Sequence, residues 1–511
     1  MCQQYQKLPD YLYSSEDIEK AELMMVQSNK IDLYDLVELA GEASFSLLKQ
    51  LKCLSERVLV LAGSGNNGAD AFVVARKLVE ANISCLVLHY VSNNMTNEVT
   101  IAKNHFLKVG GKVQNLCLTT LNSELDKANV LIDGLMGIGF KGQLREFMFD
   151  VIDLINSYQN SASAHNENLP WILSLDTPSG LHVNTGNCDP IAIKAQATLC
   201  FGGLKQGLFT SIARNHVGKV YFADLGLSPF LPESHTFLKN GNYLRGLFVR
   251  RPANSHKGDF GKVLVIGGDL GMAGAIRLSS EACLRVGAGL VAVASHSQHQ
   301  IIINNGRSEL MFCAVDSSVI NNNENSNFLA RLAWASTLVV GPGFGTSNWS
   351  KAIFEQVLKF KIPCVLDADA LNLLALKPMS RQHWVLTPHP GEAARLLNCT
   401  VQNIESNRFD AVKALQRKYG GVVLLKGAGT LVYDGKRLIV APVGNPGLAS
   451  GGCGDVLSGI IGGLIAQGFD LMKAAVAGCI IHGEAADLAV ENGERGMLAS
   501  DLMPFIRELV N

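Results

Sequence analysis

Apolar residues recur at helical spacing from residue 15 to residue 51, first in E-D-I-E-K-A-E-L-M-M and then in L-Y-D-L-V-E-L-A-G-E-A-S-F-S-L-L, and this predicts helices there. The period then changes. R-V-L-V-L-A (57–62) is a short continuous apolar run, the pattern of a strand buried on both faces. An alternation follows: helix 69–82, strand 84–90, helix 98–109, strand 129–133, helix 146–158, strand 171–175, and strand-like pieces at 198–202 and 219–224. Short apolar strands alternating with amphipathic helices predict a parallel sheet covered on both faces. Between about Leu227 and His256 the rhythm breaks in a proline-containing stretch, and a linker is expected near 228–240. It then restarts, with strands at 262–267, 290–294, 337–341, 363–367, 384–387, 422–426 and 430–433. Helices are expected at 274–287, 350–360, 391–397, 405–417, and from 455 and 470. The fold class is α/β, in two unrelated domains over residues 1–230 and 240–511.

Length and composition agree with this division. A chain of 511 residues exceeds one ordinary domain. A net charge of −1, with no basic block and no acidic tail, argues against nucleic acid or an anionic membrane as the main partner. No stretch approaches the roughly 18 apolar residues of a membrane span, and M-C-Q-Q-Y-Q-K-L-P-D lacks the apolar core of a signal peptide. A cytoplasmic protein is expected. The 12 cysteines are scattered without a C-x-x-C, as in reduced thiols and unlike a disulfide frame or zinc site.

The densest chemistry lies in G-N-P-G-L-A-S-G-G-C-G-D (444–455), followed by the apolar run V-L-S-G-I-I-G-G-L. Glycines before a helix can turn several backbone N–H groups toward an anion. Asp455 stands at that positive end. A carboxylate repels phosphate, so its place there makes sense if it takes a proton from a hydroxyl that attacks a phosphoryl group. A helix cap after a flexible loop is the plainer reading of a lone Gly-Asp pair.

In the first domain, G-S-G-N-N-G-A-D follows strand 57–62, and Gly63, Gly65 and Gly68 have the dinucleotide-binding spacing. The next strand ends in His89 and Tyr90 with no acid for a ribose, which weighs against nicotinamide hydride transfer. The loop instead offers oxygens, from Asn66, Asn67 and Asp70, that suit a hard cation. Two further loops follow strands: D-G-L-M-G-I-G-F-K-G-Q, opened by Asp133, and D-T-P-S-G-L, opened by Asp176. Three Asp-bearing loops at neighbouring strand ends are better explained as one site than as three turns.

These three motifs resemble the NAD(P)H-hydrate epimerase family. The resemblance implies a Rossmann-like three-layer αβα sandwich that interconverts the R and S forms of hydrated NAD(P)H and holds potassium. Carried over by motif, Asn66, Asn67, Gly68, Ala69 and Asp70 would contact the hydrate, as would Gly137, Ile138, Gly139, Phe140, Lys141, Gly142 and Gln143. Asn67, Asp133 and Ser179 would ligate potassium, and Asp176 would be the acid/base at the reacting ring. The family loop usually reads G-N-N-G-G-D-G, whereas this chain has Ala69 and Ala71; an Ala69 at positive φ would cost about 1 kcal/mol.

In the second domain, G-M-A-G (271–274), G-P-G-F-G (341–345), D-A-D-A-L-N (367–372), T-P-H-P-G-E (387–392) and K-G-A-G-T (426–430) lie beyond expected strands. Together with 444–455 they resemble the ribokinase-like ADP/ATP-dependent NAD(P)H-hydrate dehydratases over about 250–505. That likeness implies an αβα domain in which Lys426, Gly427, Ala428, Gly429, Thr430 and Gly454 lie on the nucleotide. Ala275, Gly343, His389 and Asp455 would contact the hydrate, with Asp455 as the base. Cys453 stands where the family carries Thr, and a thiol is the weaker hydrogen-bond partner.

The order of the two domains is that of the bacterial bifunctional nicotinamide nucleotide repair enzymes. It implies NADHX and NADPHX as substrates, ADP in preference to ATP as co-substrate, Mg2+ with the nucleotide, K+ in the first site, and a homo-oligomer. Two alternatives stay open. One is a ribokinase-like small-molecule kinase, which would release a stable phosphoester. The other is a dehydratase with a catalytically silent first domain.

Overall fold

Every residue of β1 (Val58–Ala62) is buried, and its side chains alternate between two packed layers. Val58, Val60 and Ala62 face one core, while Leu59 and Leu61 face another. The first core takes Val37 and Leu47 from helix Leu33–Gln50, Phe72 and Val73 from helix Asn66–Glu80, and Phe106 from helix Asn97–Lys108. The second takes Leu121 from helix Leu118–Leu125 and Val151 and Ile155 from helix Glu146–Ala162. This is the helix–sheet–helix layering that fully apolar strands require. The computed structural model describes residues 8–29, 32–53, 57–162, 169–316 and 326–511. Its chain forms two compact units that divide between Thr236 and Phe237.

The sheet of the first unit continues through β2 (Cys85–His89), β3 (Lys112–Asn115), β4 (Val130–Gly134) and β5 (Trp171–Leu175). β6 (Leu181–His182) and β7 (Asn187–Cys188) form a separate ribbon, and β8 (Ala197–Phe201) and β9 (Lys219–Ala223) complete the sheet. The order is β3-β2-β1-β4-β5-β8-β9, parallel throughout. The strand order reverses at β1, so the crevice between the ends of β1 and β4 is the place for a ligand.

The second unit carries β10 (Thr236–Leu238), β11 (Lys262–Ile266), β12 (Leu290–Ser295), β13 (Met311–Ala314), β14 (Thr337–Val340), β15 (Cys364–Leu366), β16 (Trp384–Leu386), β17 (Val422–Leu425), β18 (Thr430–Tyr433) and β19 (Leu438–Ala441). Their order is β10-β19-β18-β17-β16-β15-β14-β11-β12-β13. The run from β13 to β17 is parallel, and β17, β18 and β19 are joined antiparallel. The reversal falls at β11. No helix among the described residues is long and apolar enough to cross a membrane.

Helix Cys453–Ala466 and helix Ala273–Arg285 approach closely because small residues line their contact. A Cβ on Gly459 would stand 2.1 Å from the Ser279 carbonyl oxygen. Cys283 Sγ donates to the Gly459 carbonyl at 3.1 Å, and the hydroxyls of Ser279 and Ser458 are 3.3 Å apart. Gly459→Ala is therefore expected to force the helices apart. Overpacking of this kind costs about 1–3 kcal/mol, to be read as a lower urea midpoint with an unchanged m-value.

Candidate active sites

In the first unit the glycine turn after β1 is shorter than its sequence suggests. Helix Asn66–Glu80 begins directly at Asn66, so the asparagines and Asp70 stand on its first turns and not on a loop. Gly65 gives the first turn of this helix no side-chain cap, and its carbonyl accepts from the Gly68 N–H at 2.8 Å. Gly68 fits because a Cβ there would lie 2.1 Å from the Gly63 carbonyl oxygen. Ala69 is helical and buried, and it is absent from the positive-φ positions, so the strain anticipated from the alanine does not arise. Ala71 faces Gly134, whose missing side chain makes the room: a Cβ on Gly134 would come within 2.6 Å of that of Ala71.

The three Asp-bearing loops meet. Asn67 Nδ2 donates to the carbonyls of Met136 (2.8 Å) and Leu175 (3.1 Å), joining the ends of β4 and β5. Its Oδ1 is buried without a partner among the described residues. Asp133 is fully buried, and its carboxylate accepts from the Ser174 hydroxyl, the Ser179 hydroxyl, and the backbone N–H groups of Ser179 and Leu135. Burial raises its pKa, although those four donors oppose the shift. Asp176 has φ +63°, a left-handed conformation that strains a non-glycine residue and is characteristic of functional positions.

Asp176 has a partner that sequence reasoning missed. Lys205, beyond β8, is buried and ion-paired with Asp176 Oδ1, which also accepts from the Phe201 N–H at 3.2 Å. The ammonium donates in addition to the Phe201 carbonyl at 2.7 Å. Burial is the largest influence on Lys205 and lowers its pKa, but Asp176, Cys200 and Glu22 together outweigh it and the net shift is upward. Asn66, Asn67, Asp70, Gly137, Ile138, Gly139, Phe140 and Asp176 line a cavity of about 500 Å³, with Glu19 and Glu22 on its wall. Gly68 and Ala69 are buried behind it. Lys141, Gly142 and Gln143 are exposed beyond its lining. Lys141 lies 3.5 Å from Glu16, and Gln143 Nε2 lies 3.5 Å from Asp189 Oδ2. Burial drives the Asp70 pKa well up, and Asp176 and Glu22 add to the shift.

In the second unit, Gly452 at φ +91° turns the chain into helix Cys453–Ala466, with Asp455 in its first turn. The Asp455 carboxylate makes no side-chain hydrogen bond among the described residues. Burial, then the charge of Asp367, pushes its pKa to about 7 against the pull of Lys426. Lys426, at the end of β17, does not wait unpaired for a phosphate. Its ammonium donates to Asp367 Oδ1 at 2.8 Å and stands 3.7 Å from Glu392. Thr387 donates to the same Asp367 oxygen at 2.8 Å. Burial lowers the Lys426 pKa, yet Asp367 and Glu392 reverse the sign. A Cβ on Gly454 would lie 3.4 Å from the Lys426 ammonium, so this lysine adjoins the N-terminal end of helix Cys453–Ala466. The Glu392 carboxyl is itself pushed to about 7, chiefly by burial.

D-A-D-A-L-N is a helix start and not only a turn: Asp367 is the N-cap of helix Ala368–Leu376. Asp369 accepts from the Gly345 N–H at 2.8 Å, which ties the 341–345 turn to this helix. Gly343 and Ala275 adjoin, since a Cβ on Gly343 would be 3.1 Å from that of Ala275. His389 is exposed and caps helix Pro390–Leu397, with Nδ1 accepting from the Gly391 N–H at 3.0 Å. Its Nε2 is left as the donor, 3.3 Å from Glu392. In the 426–430 turn, the Thr430 hydroxyl donates to the Gly427 carbonyl at 3.0 Å.

Two supporting residues escaped sequence reasoning. Buried Arg408 donates to the Leu425 and Lys426 carbonyls and holds the end of β17. Buried His482 bonds the backbone of Cys453, at the start of the Asp455 helix, and burial lowers its pKa to about 4. Cys453 is buried at that helix start, and burial raises its thiol pKa.

Comparison with known proteins agrees with both halves. The family model for NAD(P)H-hydrate dehydratase matches residues 263–508, and that for the YjeF-related protein N-terminus matches 33–207. The bifunctional NAD(P)H-hydrate repair enzyme Nnr of Coxiella burnetii is 40% identical over 513 residues, covering 98% of this chain and 99% of that protein. The enzyme of that name from Escherichia coli is 39% identical over 509 residues, covering 99% and 95%. A ribokinase-like superfamily protein of Enterococcus faecalis aligns with TM-score 0.50 and 26% identity over 55% of this chain and 97% of its own.

Proposed function

This chain belongs to the bifunctional NAD(P)H-hydrate repair enzymes, and we propose that its two units divide the repair between them. The first interconverts the R and S forms of NADHX and NADPHX. The second dehydrates the S form at the expense of ADP, giving NAD(P)H, AMP and phosphate. The observation that carries the second step is Asp455, a carboxylate without a side-chain hydrogen bond among the described residues, pushed to about 7 by burial, at a glycine-rich helix N-terminus beside Lys426.

The hydrate has gained water across a ring double bond, and hydroxide is a poor leaving group. Asp455 takes the hydroxyl proton as that oxygen attacks the terminal phosphoryl group of the nucleotide. The first-turn N–H groups of helix Cys453–Ala466 and the Lys426 ammonium face the developing charge. The new phosphoester then breaks its C–O bond, phosphate departs, and loss of a proton from the neighbouring carbon restores the double bond. Lys426 to Thr430 and Gly454 hold the nucleotide in this reading, with Ala275, Gly343 and His389 around the hydrate. Magnesium fits as an ion that arrives with the phosphates: no group of three or more His, Cys, Asp or Glu among the described residues could hold a metal unaided.

In the first unit the donor set also fits potassium. Asn67 Oδ1 is a buried oxygen without a partner among the described residues, next to a loop organised by Asp133 and Ser179. Potassium there would neutralise phosphate or carboxylate charge, while Asp176, held by Lys205, moves the proton.

Pure protein with mixed R- and S-NADHX and ADP is expected to restore the full reduced-nicotinamide absorbance with one phosphate released per NADH, after subtraction of spontaneous epimerisation. Recovery that stops when the S form is spent means a silent first unit. A stable phosphoester with no phosphate release means a kinase.

A further inference from the structure

Helix Ser15–Asn29 turns one face inward. Ile18, Ala21 and Met25 are buried on it at helical spacing and pack with Leu36 and Leu227. Glu22 shares that face, four residues after Ile18, and lines the cavity of the first unit together with Asn67, Asp70 and Asp176. A carboxylate on an apolar stripe ordinarily finds a cation or a donor, because leaving it unpaired is costly. Glu22 makes no hydrogen bond and no ion pair among the described residues. Asp133 is satisfied by four donors and Asp176 is held by Lys205, whereas Glu22, like Asp70 and Glu19 on the same cavity, makes no side-chain hydrogen bond among the described residues; Glu22 reaches the cavity from the apolar stripe of helix Ser15–Asn29.

We propose that Glu22 is the second acid/base of the epimerisation, working with Asp176, an inference that rests on the epimerase reading of this unit. Hydration of an enamine places the hydroxyl on the ring carbon next to nitrogen. Inverting that carbon needs two proton transfers. One group protonates the hydroxyl; the C–O bond breaks as the nitrogen lone pair forms C=N⁺, and water is released. Water then adds to the other face, the electron pair returns to nitrogen, and a second group accepts the proton. No oxidant or reductant is consumed, and one proton is given for each taken. A single acid/base held by Lys205 serves one transfer, and Glu22 serves the other.

The charges facing Glu22 suit this role. Burial raises its pKa, Lys205 lowers it, and Asp176 and Glu19 raise it again, for a value of about 7. A group that titrates near the working pH can give and take a proton equally well. Burial, Asp176 and Glu22 all raise the pKa of Asp70, which lines the same cavity.

The test uses the full-length chain with R-NADHX, ADP and excess wild-type dehydratase activity, followed by NADH recovery. Glu22→Gln is expected to lower kcat for R consumption by about 100-fold or more, with KM little changed. Dehydration of S-NADHX should remain at the wild-type rate, and the limb of the pH profile near 7 should disappear. Glu22→Asp, which keeps the acid, should recover part of kcat. The proposal is overturned if Glu22→Gln keeps R consumption within threefold of wild type, if only KM changes, or if Glu22→Asp is as slow as the amide. Wild-type protein that fails to accelerate R consumption over the spontaneous rate overturns the epimerase reading and this proposal with it.

Discussion

Asp455→Ala is expected to abolish dehydration of S-NADHX while leaving ADP binding nearly intact. A general base contributes about 10²–10⁴ in rate, and no other free carboxylate on that helix turn can replace it. The nucleotide should still bind, because the N–H groups of the helix end and Lys426 survive the substitution; removing a negative charge from a phosphate site would, if anything, tighten it. Near wild-type turnover would sink the mechanism. The pH dependence has a defined sign. The folded-state pKa of Asp455 is raised to about 7, so the base form is lost below neutrality. Turnover per encounter should fall about tenfold for each pH unit below that point. The same shift makes a stability statement. Between the ordinary carboxylate range and pH 7 the native state binds the Asp455 proton more tightly than the unfolded chain, so this group's contribution to stability falls as pH rises. Asp455→Asn, which removes that burden, is expected to raise the unfolding midpoint at pH 8 and to do less at pH 4. Loss of activity together with a gain in stability is the signature of a strained functional acid.

The reach of the sequence can be judged at particular residues. The strands that hold both sites were legible, because they are short apolar runs that meet a chemically marked turn: β1 and β11 run straight into glycine, β4 ends in Asp133 and Gly134, and β17 runs into Lys426 and Gly427. The position of Asp455 in the first turn of a helix after a glycine-rich approach was legible too. The margin strand β3 was not. β3 is K-V-Q-N, mostly exposed and carrying a single apolar residue, so no periodicity marks it. β19, by contrast, is L-I-V-A, wholly buried, and its signal was present to be read. The start of helix Asn66–Glu80 was placed too late because its first turn, N-N-G-A, has the composition of a loop, although in the structure it is already helical from Asn66 with Gly65 as N-cap. Lys205 lay hidden in F-G-G-L-K-Q-G, where one lysine after a strand looks solvated, and only the parallel pairing of β5 with β8 brings it to Asp176. Glu22 and His482 were hidden for a related reason. A charged or polar residue on an apolar helix face carries no motif, and its meaning depends on what the tertiary structure puts opposite it.

Asp176→Ala is expected to leave S-NADHX dehydration unchanged and to stall consumption of R-NADHX at the spontaneous epimerisation rate. The separation follows from placement: Asp176 directly follows β5 in the first unit, whereas the proposed phosphoryl chemistry is assigned to Asp455 in the second. The variant also breaks a buried ion pair, which leaves the Lys205 ammonium with the Phe201 carbonyl as its remaining partner. Removal of one partner from such a pair typically costs about 3–5 kcal/mol, so an inactive first unit could simply be an unfolded one. Asp176→Asn separates the two effects. It keeps an oxygen within reach of Lys205 and retains a side chain that tolerates the left-handed backbone at φ +63°. If the amide variant unfolds cooperatively near the wild-type midpoint and still stalls R consumption, the missing function is proton transfer. If Asp176→Asn consumes both epimers at the wild-type rate, Asp176 is a structural counter-ion for Lys205, and the acid/base of the first unit must be sought among the other acids of the cavity.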